Sequence, residues 1–213
     1  VMKFKGVIFD LDGVSCYTDQ FHYRAWKTLA DRLGIEVDEK INDRLRGVSR
    51  MASLEIILEK SARAYSDAEK ESFAAEKNDA YRALLENMGK SDVSEEVRDT
   101  LSELRARGVL LAIGSSSRNT PLILEKTGMK QYFDAVSDGN NITRSKPDPE
   151  VFLKAAQFLN LAPADCLVVE DAVAGIDAGF SGGFRTAAIG EATNYDRPDY
   201  KLTTFSDLLK IVD

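Results

Sequence analysis

Cysteine, basic charge and long apolar runs are all scarce in this chain of 213 residues. The two cysteines, Cys16 and Cys166, form no metal-like or redox-like pair, so a disulfide framework is not expected. Both are read as reduced thiols of a cytoplasmic protein. Nor does the opening, Val1-Met2-Lys3-Phe4-Lys5-Gly6, have the layout of a signal peptide. No apolar stretch approaches the ~20 residues that a membrane span needs, so no membrane partner is expected. Lysine and arginine total 28 against 35 aspartates and glutamates, a net charge of −7 with both signs mixed along the chain. Binding nucleic acid needs a basic face, and none is expected here. A small anionic substrate is still compatible, because a local pocket can oppose the global sign. There are no internal repeats and no low-complexity tracts.

What is present is the composition of a globular protein, 44% hydrophobic and 30% charged. The length corresponds to roughly 1.4 domains, or one core with a smaller insertion. Four short apolar runs read as buried parallel strands: Gly6-Val7-Ile8-Phe9, Val109-Leu110-Leu111-Ala112-Ile113, Cys166-Leu167-Val168-Val169 and Thr186-Ala187-Ala188-Ile189. Helical patterns separate the last three, the alternation of an α/β, doubly wound parallel sheet of the Rossmann-like kind. Between the first and second runs lies a long helical stretch. It has Phe21, Ala25, Leu29 and Leu33 on one face, then Leu54-Glu55-Ile56-Ile57-Leu58, then a charged helix from about Asp67 to Glu86. A right-handed crossover needs one helix, and this segment supplies about four. The surplus is expected to form an inserted helical cap at residues 17–88, with residues 1–16 and 89–213 as the core.

Each parallel strand runs into a polar cluster: Asp10-Leu11-Asp12-Gly13, Gly114-Ser115-Ser116-Ser117-Arg118-Asn119 and Glu170-Asp171-Ala172. Ligands of open α/β sheets bind at the carboxyl ends of the strands, so the three clusters should converge. Asp10, Asp12 and Asp171, with backbone carbonyls, would make an oxygen-rich octahedral site that suits Mg²⁺ better than zinc. A carboxylate attacking a phosphate monoester is repelled by about 8 kcal/mol when each of two charges lies ~4 Å away at an effective dielectric of 20. Cations must neutralise that field. Mg²⁺ is one, and Lys146, in the proline-stiffened Ser145-Lys146-Pro147-Asp148-Pro149, is a natural second. Taken alone, Lys146 reads as a surface lysine; beside the carboxylates it reads as functional. Ser115 and nearby backbone N–H groups can hold another phosphoryl oxygen.

Phe9-Asp10-Leu11-Asp12-Gly13-Val14, Ser115, Lys146-Pro147 and Glu170-Asp171, in this order, resemble the four motifs of the haloacid dehalogenase superfamily. The resemblance covers essentially the whole chain. It implies a Rossmann-like core with a helical cap inserted after the first strand. Asp10 would form an aspartyl-phosphate, and Asp12 would act as general acid and base to a sugar oxygen. Mg²⁺ would be held by Asp10, the backbone carbonyl of Asp12 and Asp171, with Glu170 close by through water.

Within that superfamily the cap resembles the sugar-phosphate mutases. The similar segments are Phe21-His22-Tyr23-Arg24-Ala25-Trp26-Lys27, Arg46-Gly47-Val48-Ser49-Arg50 with Ser53, and Lys77-Asn78-Asp79. The likeness implies that Arg50 grips the phosphate far from the metal together with Ser117, Arg118 and Asn119. His22 and Lys77 would orient the sugar and Asp12. Trp26 lies near Leu29 and Leu33 and reads as cap core that could also line the cleft, and Ser49 reads as a helix N-cap. A mutase must hold a bisphosphate with either end toward Asp10, so it needs two anion sites, and a guanidinium fork suits the second. Two positions depart from the family pattern. Tyr17 stands before Thr18 where an aspartate is usual, at the hinge into the cap, where Thr18 or Asp19 could take over the N-cap. Ala172 stands where a hydroxyl residue is common, which removes one helix-cap bond. The expected reaction is β-D-glucose 1-phosphate to glucose 6-phosphate through the 1,6-bisphosphate, by a monomeric enzyme. The alternatives are a Mg²⁺-dependent phosphatase of small sugar phosphates and a non-catalytic sugar-phosphate binder.

Overall fold

A computed structural model describes residues 3–46 and 48–213. Gly47, within the expected cap loop, and Val1 and Met2, in the opening segment, lie outside the described residues. In chain order the elements are β1 (Gly6–Phe9), α1 (Asp19–Arg32), α2 (Glu39–Leu45), α3 (Arg50–Leu58), α4 (Asp67–Leu85), α5 (Glu95–Ala106), β2 (Leu110–Gly114), α6 (Thr120–Thr127), β3 (Ala135–Ser137), α7 (Glu150–Phe158), β4 (Cys166–Glu170), α8 (Val173–Ser181), β5 (Arg185–Ala188), β6 (Tyr200–Lys201) and α9 (Leu208–Ile211).

The strands form one parallel sheet in the order β3-β2-β1-β4-β5-β6, with β1 paired to β2 on one side and β4 on the other. Burial on both faces explains why these strands read as continuous apolar runs. Along β1, Val7 and Phe9 enter one core while Ile8 enters the other. Leu111, Ile113, Leu167 and Val169 join the first core, and Ala112 and Val168 the second. Side chains two apart share a face, so a single apolar tetrapeptide serves both cores. The chain winds outward in both directions from β1, and the resulting crevice opens at the carboxyl ends of β1 and its neighbours. The two strands with no apolar run in the sequence, β3 and β6, are short and half exposed, and they edge the sheet.

Helices α1–α4 fill the connection between β1 and β2 and have a core of their own, built around Trp26, Leu29, Ile41, Leu54, Ile57 and Phe73. Side-chain caps start three of these helices. Asp38 accepts from the Ile41 amide, Ser49 from Ala52, and Ser66 forms a reciprocal capping box with Glu69. The start of α1 differs from expectation: Thr18 occupies the N-cap position but makes no side-chain cap bond. Its hydroxyl accepts from Tyr81 Oη at 3.0 Å instead, so the α1 entry is tied to α4. Helix α4 spans both cores. Phe73 and Ala74 pack with α1–α3, whereas Tyr81 and Leu85, further along, pack against the sheet. Both cysteines are free and buried. Among the described residues no helix is long and apolar enough to cross a membrane.

Candidate active site

The clusters that follow β1, β2 and β4 line one cleft of about 710 Å³. Every candidate residue named from the sequence borders it. Asp10, Asp12, Ser115, Ser117, Arg118, Asn119, Lys146, Glu170 and Asp171 come from the sheet side, and His22, Trp26, Arg50, Ser53 and Lys77 from the α1–α4 side.

At its base, Asp10, Glu170 and Asp171 each offer an oxygen within 4.8 Å of the others. Parallel pairing of β1 with β4 brings the two strand ends level, and the Asp10 amide continues the ladder by donating to the Val169 carbonyl at 3.0 Å. Two glycines make room for the carboxylates. A Cβ on Gly13, at φ +82°, would lie 2.0 Å from Asp171 Oδ2, and one on Gly175 would lie 1.9 Å from Glu170 Oε1. Lys146 Nζ, nearly inaccessible, donates to Asp10 Oδ1 at 2.6 Å and to Glu170 Oε1 at 2.5 Å. Burial disfavours the Lys146 charge, but Asp10 and Glu170 outweigh it and hold the ammonium well above the ordinary lysine range. Glu170 Oε2 accepts from the amides of Asp171 (3.1 Å) and Ala172 (3.2 Å), so the α8 entry is served by a glutamate where Ala172 offers no side-chain cap.

One ammonium does not balance these carboxylates. Burial, reinforced by Asp10 and Glu170, pushes Asp171 up to about 8. Burial pushes Glu170 to about 7 against the pull of Lys146. Clustered carboxylates that resist ionisation mark a site short of positive charge. An all-oxygen donor set without thiolate or imidazole is one that fits Mg²⁺.

Above this base, Asp12 Oδ1 accepts from the Thr18 amide at 2.6 Å. Burial raises Asp12 to about 6 despite that bond. His22 Nε2 lies 3.8 Å from Asp12 Oδ2, its ring stacks on Tyr81 with centroids 4.0 Å apart, and its Nδ1 is 2.8 Å from Lys77 Nζ. Burial, then the charges of Lys77 and Arg50, hold the imidazole well below its usual pKa and therefore neutral. Lys77 is 3% exposed, sits 4.8 Å from the Trp26 ring centroid and 4.6 Å from that of Tyr81, and is lowered to about 7 by burial and by Arg50. Trp26 thus belongs to the apolar cluster of α1–α4 and also walls the cleft.

Arg50, at the start of α3, and Arg118, after β2, form no ion pair among the described residues. Burial and then Arg118 lower the Arg50 pKa, with Asp79 pulling the other way from beyond ion-pair distance, as expected for two guanidiniums sharing a space. In the β2 loop the Ser117 amide donates to Ser115 Oγ at 3.2 Å and the Asn119 amide to Ser117 Oγ at 3.1 Å. Ser53 is buried at the α3 side of the cleft. Asn119, read from the sequence as a phosphate ligand, has its carboxamide engaged by α4: Oδ1 accepts from Arg82 Nη1 and Nδ2 donates to Asn78 Oδ1, each at 2.9 Å. At the rim, Arg46 bridges Asp19 at 2.9 Å and Glu191 at 3.0 Å. Arg46 was quoted from the sequence only as part of the cap segment and given no role, and Arg82, Glu191 and Tyr81 were not singled out. Of those three, only Tyr81 carried a signal, one helical turn beyond Lys77 and hence on the same face.

A parallel sheet with a helical insert after β1, and aspartates, a lysine and a Glu-Asp pair gathered at adjacent strand ends, define a class of acid-rich, anion-binding sites. The chain belongs to the haloacid dehalogenase-like hydrolase family, whose model matches residues 4–183. Among curated relatives, a β-phosphoglucomutase of Bacillus subtilis (strain 168) is 37% identical over 96% of this chain and 91% of that protein. The fructose-1-phosphate phosphatase YqaB of Escherichia coli (strain K12) is 29% identical over 85% of this chain and 94% of its own length. Among solved structures, a β-phosphoglucomutase from Clostridium difficile superposes with a TM-score of 0.90 at 34% identity, covering 96% of this chain and 93% of that one.

Proposed function

We propose that the protein is a Mg²⁺-dependent β-phosphoglucomutase that interconverts β-D-glucose 1-phosphate and glucose 6-phosphate. In this reading residues 17–88 form the cap and residues 1–16 with 89–213 the catalytic core. The observation that carries the reading is the presence of two cationic ends in one cleft: Lys146 at the acidic base, and Arg50 with Arg118, which form no ion pair among the described residues. A phosphatase needs only the first, whereas a bisphosphate intermediate needs both. The full-length likeness to β-phosphoglucomutases supports the same choice.

The chemistry follows from the side chains. Asp10, phosphorylated on Oδ, gives its phosphoryl group to the C6 hydroxyl of glucose 1-phosphate. The P–O bond to Asp10 breaks, the P–O6 bond forms, and the hydroxyl proton passes to Asp12. The bisphosphate then re-enters with the opposite end toward Asp10. Asp10 attacks the phosphorus on O1, Asp12 returns the proton to O1, and glucose 6-phosphate leaves with phospho-Asp10 restored. A carboxyl at about 6 can hold and release a proton near neutrality, the requirement for a residue that alternates as base and acid. Neutral His22 and the Thr18 amide orient Asp12. Lys146 offsets the charge of Asp10 against the phosphate, and Ser115 with the adjoining amides holds a phosphoryl oxygen. Arg50, Ser117 and Arg118 hold the distal phosphate, and Lys77, Ser53 and Trp26 contact the sugar. Mg²⁺, when held by Asp10, Asp171 and the Asp12 carbonyl with Glu170 beside it, supplies positive charge to the transferring phosphoryl oxygens.

The test supplies Mg²⁺, a trace of the 1,6-bisphosphate and β-glucose 1-phosphate, and measures glucose 6-phosphate and free phosphate separately. A mutase makes glucose 6-phosphate in large excess. Phosphate as the main product would establish the phosphatase instead. Asp10→Asn abolishes turnover of either kind, because a carboxamide cannot form the aspartyl-phosphate; a variant with near wild-type activity would remove Asp10 from its role.

A further inference from the structure

Asn119 stands at the N-cap of α6, where an asparagine ordinarily turns its side chain back to a free helix amide. It makes no such bond. The side chain, 4% exposed, crosses to α4, and both ends of its amide are used: Arg82 donates to Oδ1 and Asn78 accepts from Nδ2. The two partners lie four residues apart on α4, one turn of one face, so the helix meets the Asn119 amide as a two-point clamp. The connection continues on both sides. Toward the sheet, the Asn119 amide donates to Ser117 Oγ and the Ser117 amide to Ser115 Oγ, which ends at a buried serine that lines the cleft with Asp10. Along α4, Asn78 follows Lys77 directly. An unbroken set of short hydrogen bonds therefore runs from the β2 loop to the helix that carries Lys77. It joins α4 between Ala74, which packs with α1–α3, and Leu85, which packs on the sheet.

We propose that Arg82 and Asn78 are positioning residues: by clamping the Asn119 carboxamide they fix the Lys77 face of α4 against the Ser115–Ser117 loop, and so set the span between the two anion-binding ends of the cleft. The proposal rests on the mutase reading, in which a bisphosphate of fixed length must fit that span in either orientation. Arg82 is suited to the clamp because its charge strengthens the bond to a buried carbonyl oxygen, while the rest of its guanidinium stays in water.

The test is a double-mutant cycle. Arg82→Met keeps the stem and removes the donors. It is expected to raise KM for β-glucose 1-phosphate about tenfold and to lower the ratio of glucose 6-phosphate to phosphate by a similar factor, the scale of loss when reacting groups are held slightly out of place. Phosphorylation of Asp10 by acetyl phosphate, which does not span the cleft, stays within about twofold of wild type. Arg82→Lys recovers part of the loss, and Asn78→Ala reproduces it. In an Asn119→Ala background Arg82→Met has no further effect, because the only group through which it acts is gone. Unchanged KM and product ratio in Arg82→Met, or an undiminished effect in the Asn119→Ala background, would overturn the proposal. If the wild-type protein releases only phosphate, the mutase reading fails on its own. The same cycle read on KM for hydrolysis then decides the clamp, and a KM that does not move overturns it.

Discussion

Replacing Gly13 with alanine tests the acidic site through its most crowded point. Gly13 sits at φ +82°, and an added Cβ would lie 2.0 Å from Asp171 Oδ2 and 2.6 Å from its Cγ. To reach an ordinary contact the carboxylate must retreat by about 1.5 Å. Asp171 then leaves the position from which its oxygen lies within 4.8 Å of those of Asp10 and Glu170. Two effects follow, and they separate. A left-handed alanine costs about 1–2 kcal/mol of stability, which in a chain of this size lowers the melting temperature by about 2–8 °C. The displaced ligand weakens Mg²⁺ binding by about tenfold to a hundredfold, the range seen when groups supporting a metal ligand are disturbed. Gly108 supplies the control. It has nearly the same backbone, φ +84°, with nothing within 4 Å of its would-be Cβ. Gly108→Ala should lower the melting temperature to a similar extent in EDTA and leave the half-activating Mg²⁺ concentration unchanged. Melting curves in EDTA and Mg²⁺ titrations of turnover measure the two effects on each variant. The reasoning is refuted if Gly13→Ala titrates with Mg²⁺ like wild type, or if Gly108→Ala shifts the titration equally.

Gly175→Ala should be destabilising although alanine is the better helix former by about 1 kcal/mol, because its Cβ would lie 1.9 Å from Glu170 Oε1; a raised melting temperature would show that Glu170 can move freely. Lys146→Met leaves Asp10 and Glu170 without their ammonium, a loss of about 3–5 kcal/mol for a broken buried pair. Glu170, already at about 7 in the folded protein, titrates higher still without Lys146, so the folded state binds more protons than the unfolded chain. Stability then falls as pH rises from the ordinary carboxylate range through neutrality, so in EDTA the deficit against wild type should be larger at mildly alkaline than at mildly acidic pH. A deficit independent of pH would contradict this. Tyr17 is 64% exposed at the cleft mouth, so Tyr17→Asp should change stability by no more than about 0.5 kcal/mol. It should alter mutase turnover or apparent affinity while leaving Asp10 phosphorylation by acetyl phosphate largely unchanged. A large change in that phosphorylation rate would place Tyr17 at the chemical site instead.

The central strands of the sheet and their ends are legible in the residue pattern. The apolar run Val7-Ile8-Phe9 fits a strand covered on both faces, as found, and the polar Asp10 after it marks the strand's exit. Helical periodicity likewise marked the inserted helices, and Ser49 marked the start of α3. Strands β3 and β6 were not legible, because edge strands of three and two residues are too short to show any period. Tertiary structure alone decided which groups answer one another. The pairing of Lys146 with Glu170 as well as Asp10 follows from a loop folding back over two strand ends. The Thr18 hydroxyl looked like a helix cap and instead meets Tyr81, 63 residues away. Asn119 reads as a phosphate ligand, and only the fold shows that α4 also holds its amide, through Asn78 and Arg82. Residue type and local spacing specify what a side chain is able to bond. Which of its possible partners is within 3 Å depends on how distant helices pack, and that packing is set mainly by apolar contacts, the Tyr81 ring among them.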